Sequence, residues 1–135
     1  SNGVRETTIQ ERRNGMIRIK RIYERPDPSD GVRILVDRLW PRGMSKGEAR
    51  IDEWRKDLAP TNVLREWFHH DPPRWEEFQL RYRNELDAAG KAEELKELAE
   101  RARTETVTLL FAARDEARNN AVALKKILEK LSLPL

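Results

Sequence analysis

Two short apolar runs, Ile34-Leu35-Val36 and Val107 to Ala112, constrain the fold more than anything else in the chain. A strand with one face in water alternates apolar and polar side chains. A run without that alternation is buried on both faces, as in a parallel sheet covered by other layers. Val32 to Leu39 therefore reads as one strand and Val107 to Ala112 as another. Ahead of them Ile17, Ile19 and Ile22 with Tyr23 mark a first strand, with Arg18 and Lys20 alternating outward. Pro26 to Gly31 is a loop by composition. Trp40-Pro41-Arg42-Gly43 must end the second strand, because Pro41 cannot donate to a ladder and Gly43 invites a turn.

The rest of the chain carries helical periodicity. Thr61 is placed as the N-cap of a short helix through Leu64, Trp67 and Phe68. Asp71-Pro72 reads as a second start, with Asp71 capping and Pro72 in the first turn. Trp75, Phe78, Tyr82, Leu86 and Ala89 then form one apolar stripe that Gly90 breaks. Ala92, Leu95, Ala99 and Ala102 carry another helix. Ala117, Ala121, Leu124, Leu128 and Leu131 form the face of a last one, before Pro134. The order strand, strand, helices, strand, helix predicts an α/β fold: a small, mainly parallel sheet with helices packed on it.

At 135 residues the chain has the size of one domain, read as a single α/β unit over 16–135. Ser1-Asn2 resembles a tag remnant, and 3–15 reads as a flexible polar arm with a weak basic bias, so Met16 is a candidate alternative start. There is no cysteine, which removes thiol catalysis, thiolate metal ligands and disulfides together. That composition fits a reducing compartment, and a cytoplasmic setting is expected. The longest apolar stretch, Val107 to Ala113, is too short to span a bilayer, and no leader pattern precedes it. The 27 basic and 24 acidic residues are interspersed, so the net charge of +3 describes a solvated surface better than a polyanion-binding one.

The run Val36-Asp37-Arg38-Leu39-Trp40-Pro41-Arg42-Gly43 resembles the signature of the YeaO-like family of uncharacterised proteins, a domain of unknown function. Leu109 to Asp115, Asn119 to Leu124, and the Trp75 to Leu86 segment with Phe78, Tyr82 and Glu85 are similar to further family motifs. The likeness spans about residues 16 to 131. It implies a Rossmann-like layered sandwich and no particular activity or cofactor. It also implies a histidine near position 118, where this chain has Arg118, and in distant relatives a Cys-His pair near Asn119-Asn120, which this chain lacks.

The motifs have a physical reading of their own. Open parallel sheets bind ligands beyond the carboxyl ends of their strands. Asp37, Arg38, Trp40 and Arg42 follow the second strand, Arg114 and Asp115 follow the third, and Asn119 and Asn120 fall in the first turn of the last helix. If those strands are parallel neighbours, all eight meet at one edge. Guanidinium forks and a helix N-terminus suit phosphate or carboxylate groups. Each residue also has a structural alternative. Asp37 and Arg38 can pair with neighbours, Trp40 can anchor the core, Arg42-Gly43 can be a turn, and Asp115 can be an N-cap. Two consecutive asparagines in a helix ask for partners, which a loop or a ligand could supply. His69-His70 alone cannot build a metal site. Asp37 with Asp115 could serve acid-base chemistry or hold Mg²⁺ only if close.

Three functions fit. A small anionic ligand at the strand ends requires Arg38, Arg42 and Arg114 to converge with Asn119 or Asn120. Nucleic-acid binding, less favoured, requires a continuous basic stripe. A non-enzymatic interaction module requires that the motif arginines be used up internally with no pocket left.

Overall fold

A computed structural model, described over residues 15–132, contains a four-stranded parallel sheet with helices. Strand β1 (Ile17–Arg21), β2 (Val32–Leu35), β3 (Glu53–Trp54) and β4 (Val107–Phe111) are ordered β1-β4-β2-β3. The hub is β4, buried at all five residues and paired in parallel with both β1 and β2, with Leu109 opposite Ile19 and Ile34. The two continuous apolar runs are thus adjacent parallel strands, as their composition demands.

Period-two geometry sends alternate residues to opposite faces. Ile34, Val36, Val107, Leu109 and Phe111 join the large core, which the helices cover. These are α2 (Asn62–Phe68), α3 (Trp75–Ala88), α4 (Ala92–Arg101) and α5 (Asn120–Leu131). Leu35 and Leu110 face a smaller cluster with Ile22 and Ala49, under the one-turn helix α1 (Lys46–Ala49). That face also buries charge. Asp30 accepts from Lys20 Nζ (3.0 Å) and Arg33 Nη1 (2.6 Å), while Arg33 also donates to the carbonyls of Ala49 and Arg50. Lys20, expected to point outward, turns inward because Asp30 is fully buried and needs a counter-charge.

Several boundaries differ from expectation. The second strand ends at Leu35, not Leu39; Val36 N–H still donates to Leu110 O (3.1 Å), but the next rung is made by the Asp37 side chain. β3 is only two residues long and was not anticipated. Thr61 caps α2 as predicted, its Oγ1 accepting from Leu64 N–H. Asp71 makes no side-chain cap; the turn Pro72–Arg74 intervenes and its carboxylate leans on Arg74 instead (3.5 Å). Ala117 precedes the last helix, whose cap is Asn119. The tag remnant and the arm at 1–14, and Pro134, lie outside the described residues. Gly15, assigned to the arm, donates to Arg103 O at 2.7 Å and so belongs to the fold.

Candidate functional site

Because β2 and β4 are parallel neighbours, the segments leaving them meet. Asp37 Oδ2 accepts the Ala112 N–H (2.9 Å), standing in for a strand carbonyl just past the end of both strands. Its Oδ1 accepts from Asn120 Nδ2 (3.0 Å), and the same amide donates to Val36 O (2.9 Å). The first turn of α5 is thereby bolted to the end of β2. On the far side, Arg21 donates to the carbonyls of Ala112 and Ala113 (3.0 and 2.9 Å), fixing the segment that follows β4.

A cavity of about 640 Å³ opens above this junction. Asp37, Ala112 and Asn120 line it from the strand ends, Trp40, Pro41 and Arg42 from the loop after β2, and Asn62, Arg65 and Phe68 from α2. Burial pushes the Asp37 carboxyl above its ordinary value. The hydrogen bonds from Asn120 and Ala112, and the charges of Arg65 and His70, pull against that rise without cancelling it. Behind the cavity, burial also raises the Tyr82 phenol, with the Asp37 charge adding to the effect; its hydroxyl donates to Leu58 O.

Of the eight residues predicted from sequence, Asp37, Trp40, Arg42 and Asn120 line this cavity. Of the other four, Arg38, Asp115 and Asn119 are turned to structural work. Arg38 spends its guanidinium on the carbonyls of Ala59 and Pro60, both at 3.1 Å. Arg114 is exposed and not among the lining residues. Asp115 accepts from the backbone N–H groups of Ala117 (2.9 Å) and Arg118 (3.0 Å), forming a turn ahead of α5. Desolvation opposes those bonds, but they prevail and its carboxyl lies below the ordinary value. Asn119 is fully buried, accepting from Val122 N–H and donating to Asp115 O. The expected convergence of Arg38, Arg42 and Arg114 therefore does not occur, and Asp115 is not a second carboxylate of the cavity. Arg118, where a family pattern suggested histidine, sits with Nε 3.7 Å from Asp115.

Tyr23, Arg65, His69 and His70 are among the lining residues not singled out as ligand-binding from the sequence. Tyr23 donates its hydroxyl to Arg42 O (2.8 Å), holding the loop. Arg65 arrives on α2, one turn after the Thr61 cap, and its only side-chain bond among the described residues is to Asn62 Oδ1 (2.9 Å). His69 and His70 both have left-handed backbone (φ 42° and 50°), a conformation that costs non-glycine residues about 1–2 kcal/mol each. The reversal seats His70 against Phe68 with ring centroids 5.5 Å apart. The only signal for it was the His-His-Asp-Pro sequence, which marks a turn without placing it. Among the described residues no group of three or more His, Asp or Glu is arranged to hold a metal ion, and no helix is long and apolar enough to cross a membrane.

Comparison with known proteins adds a family. The profile of the inactive DUF488-N3 subclade matches residues 16–133. The uncharacterised protein Rv3073c of Mycobacterium tuberculosis is 44% identical over 116 residues, covering 86% of this chain and 96% of that protein. The uncharacterised protein YeaO of Escherichia coli is 41% identical over 115 residues, covering 85% and 98%. No solved structure matches the chain.

Proposed function

Given that the chain belongs to the inactive DUF488-N3 subclade, we propose that it binds a small anionic ligand, a phosphate or carboxylate compound, at the carboxyl ends of β2 and β4. One observation carries the reading: Arg42 and Arg65 both line one cavity, and neither forms an ion pair among the described residues, whereas Arg33, Arg55, Arg81 and Arg101 do. A guanidinium left without a carboxylate in a concave site is the arrangement that recognises a carboxylate or phosphate. The site binds and does not catalyse in this reading: the thiol and imidazole expected of distant relatives near Asn119-Asn120 are absent, and both asparagines serve the fold.

The two other functions considered have less support. An extended polyanion surface is disfavoured by the pairing of Arg33, Arg55, Arg81 and Arg101 with carboxylates. An interaction module with its arginines used up internally accounts for Arg38 but not for Arg42, Arg65 or the cavity.

Thermal denaturation at low salt tests the reading, with orthophosphate, succinate and citrate as probes. A ligand at a hundred times its Kd stabilises the fold by about 2.7 kcal/mol. In a domain of this size that is a rise on the order of 5–15 °C in Tm. The rise should vanish in Arg42→Ala and shrink in Arg65→Ala. An equal rise in wild type and both variants, or none with any compact anion, sinks the anion site.

A further inference from the structure

We propose that the ligand of this cavity is a ribonucleoside phosphate, with its vicinal hydroxyls on Asp37 and its phosphate on Arg42; the proposal rests on the anion-site reading above. Asp37 supplies the first argument. Each of its oxygens accepts one protein hydrogen bond, from Ala112 and from Asn120, while a carboxylate offers about four acceptor positions. The remaining lone pairs belong to a group that lines the cavity, so whatever fills the floor must bring donors. A ligand ammonium is a poor choice, because Arg65 and His70 already bring positive charge to bear on this carboxylate. A pair of neutral hydroxyls satisfies both oxygens without adding charge. Carboxylate-to-ribose pairing of this kind is a recurring solution at strand ends of open parallel sheets.

The opposite end of the ligand is set by Arg42. Its backbone carbonyl is anchored by the Tyr23 hydroxyl, yet its side chain is exposed and makes no hydrogen bond among the described residues. A phosphate is the anion for which such a fork is suited. The same cavity has an aromatic residue in its lining. Trp40 donates its ring N–H to Met44 O (2.6 Å) and packs edge-on against Trp54 with centroids 5.3 Å apart. Fixed rings cost no side-chain entropy when a base lies on them. The volume of about 640 Å³ is more than a free phosphate or dicarboxylate needs, and falls inside the range of sites for drug-sized ligands.

Isothermal titration of the full chain distinguishes this from a plain anion site. The probes are the 5′-monophosphates of adenosine, guanosine, cytidine and uridine, their 2′-deoxy counterparts, ribose 5-phosphate and orthophosphate. At least one ribonucleotide should bind on the order of tenfold tighter than its 2′-deoxy form, the loss of one hydrogen bond to a charged group. It should also bind tighter than ribose 5-phosphate, which lacks the base. Arg42→Ala should weaken the ribo and deoxy forms alike and leave their ratio intact. Asp37→Asn should bring the ratio to about one; since that variant disturbs the Ala112 and Asn120 bonds, the wild-type ratio stands as the primary readout. Equal binding of the ribo and deoxy forms by wild type overturns the nucleotide proposal. If orthophosphate or ribose 5-phosphate then still binds in an Arg42-dependent way, the anion site survives. If no probe shows Arg42 dependence, both fall.

Discussion

Replacing Asn120 with alanine removes the bolt between α5 and the end of β2, and its cost is calculable. The Nδ2 group donates to Val36 O (2.9 Å) and to Asp37 Oδ1 (3.0 Å). The first is a neutral bond worth about 1 kcal/mol, the second a bond to a charged group worth about 1.5–3 kcal/mol. Alanine returns about 0.5 kcal/mol of helix propensity. The net loss is about 2–3 kcal/mol, or on the order of 10 °C in Tm for a chain of this length. The loss also depends on pH. Burial holds the folded pKa of Asp37 above the ordinary carboxylate value of 3.8. Stability from this group is therefore fully present below 3.8 and is lost as pH rises through the folded pKa. The Asn120 bond restrains that rise, so without it the folded pKa climbs further and the variant sheds more stability than wild type toward neutrality. Urea titrations at about pH 4 and about pH 7.5 should show the larger difference at the higher pH. A difference below about 1 kcal/mol, or one equal at both pH values, refutes the reasoning.

Further substitutions probe separate parts of the molecule. Arg38→Ala should cost about 1–2 kcal/mol, because the Ala59 and Pro60 carbonyls lose their donor, whereas Arg42→Ala should stay within about 0.5 kcal/mol in the same urea assay. Equal effects would mean the two arginines are wrongly sorted. Asp30→Ala should cost about 3–5 kcal/mol, since it leaves Lys20 and Arg33 buried without a counter-charge. Burial pushes Asp30 up, but bonds from Lys20, the Asp27 N–H and Arg33 prevail and its folded pKa falls below 3.8. Its contribution is thus present above 3.8 and lost as pH falls through the folded pKa, and Asp30→Asn should flatten that acid limb. Gly31→Ala should lower Tm by several degrees, because φ is +62° and the new Cβ would stand 2.2 Å from Thr106 O; an unchanged Tm would contradict the backbone geometry.

The parts of the fold readable from sequence are those whose signal is local and long enough. β2 and β4 announce themselves because three and five consecutive apolar or β-branched residues have no other use. β3 is illegible: Glu53 and Trp54 are two half-buried residues whose strand character comes entirely from pairing with Ile34 and Leu35. Thr61 reads correctly as a cap because its partner, Leu64 N–H, is three residues away. Asp115 reads incorrectly because its acceptor role goes to the turn at 117–118 and the cap passes to Asn119. At the candidate site, the meeting of the segments that leave β2 and β4 was legible, but the point where β2 stops and the roles of the arginines were not. Arg38 and Arg42 are equivalent as letters, and only the position of the Ala59-Pro60 segment decides that one is consumed. Arg65 reaches the cavity through the packing of α2, which no motif around it encodes.

The placement of β4 also bears on how the protein is made. β1 and β2 bond only through β4, and the contact that ties the end of β1 to the segment after β4, Arg21 to Ala113, closes over 92 positions of chain. At a synthesis rate of about 5–20 residues per second, β1 and β2 wait several seconds on the ribosome with no central partner. During that time their open edges are templates for pairing with other chains. Folding is therefore deferred until β4 has been made, and a chain interrupted short of Phe111 is an aggregation hazard, not a weakened protein. The floor at Asp37 and Ala112 comes into being in the same event, so a nascent fragment that lacks β4 has no cavity floor.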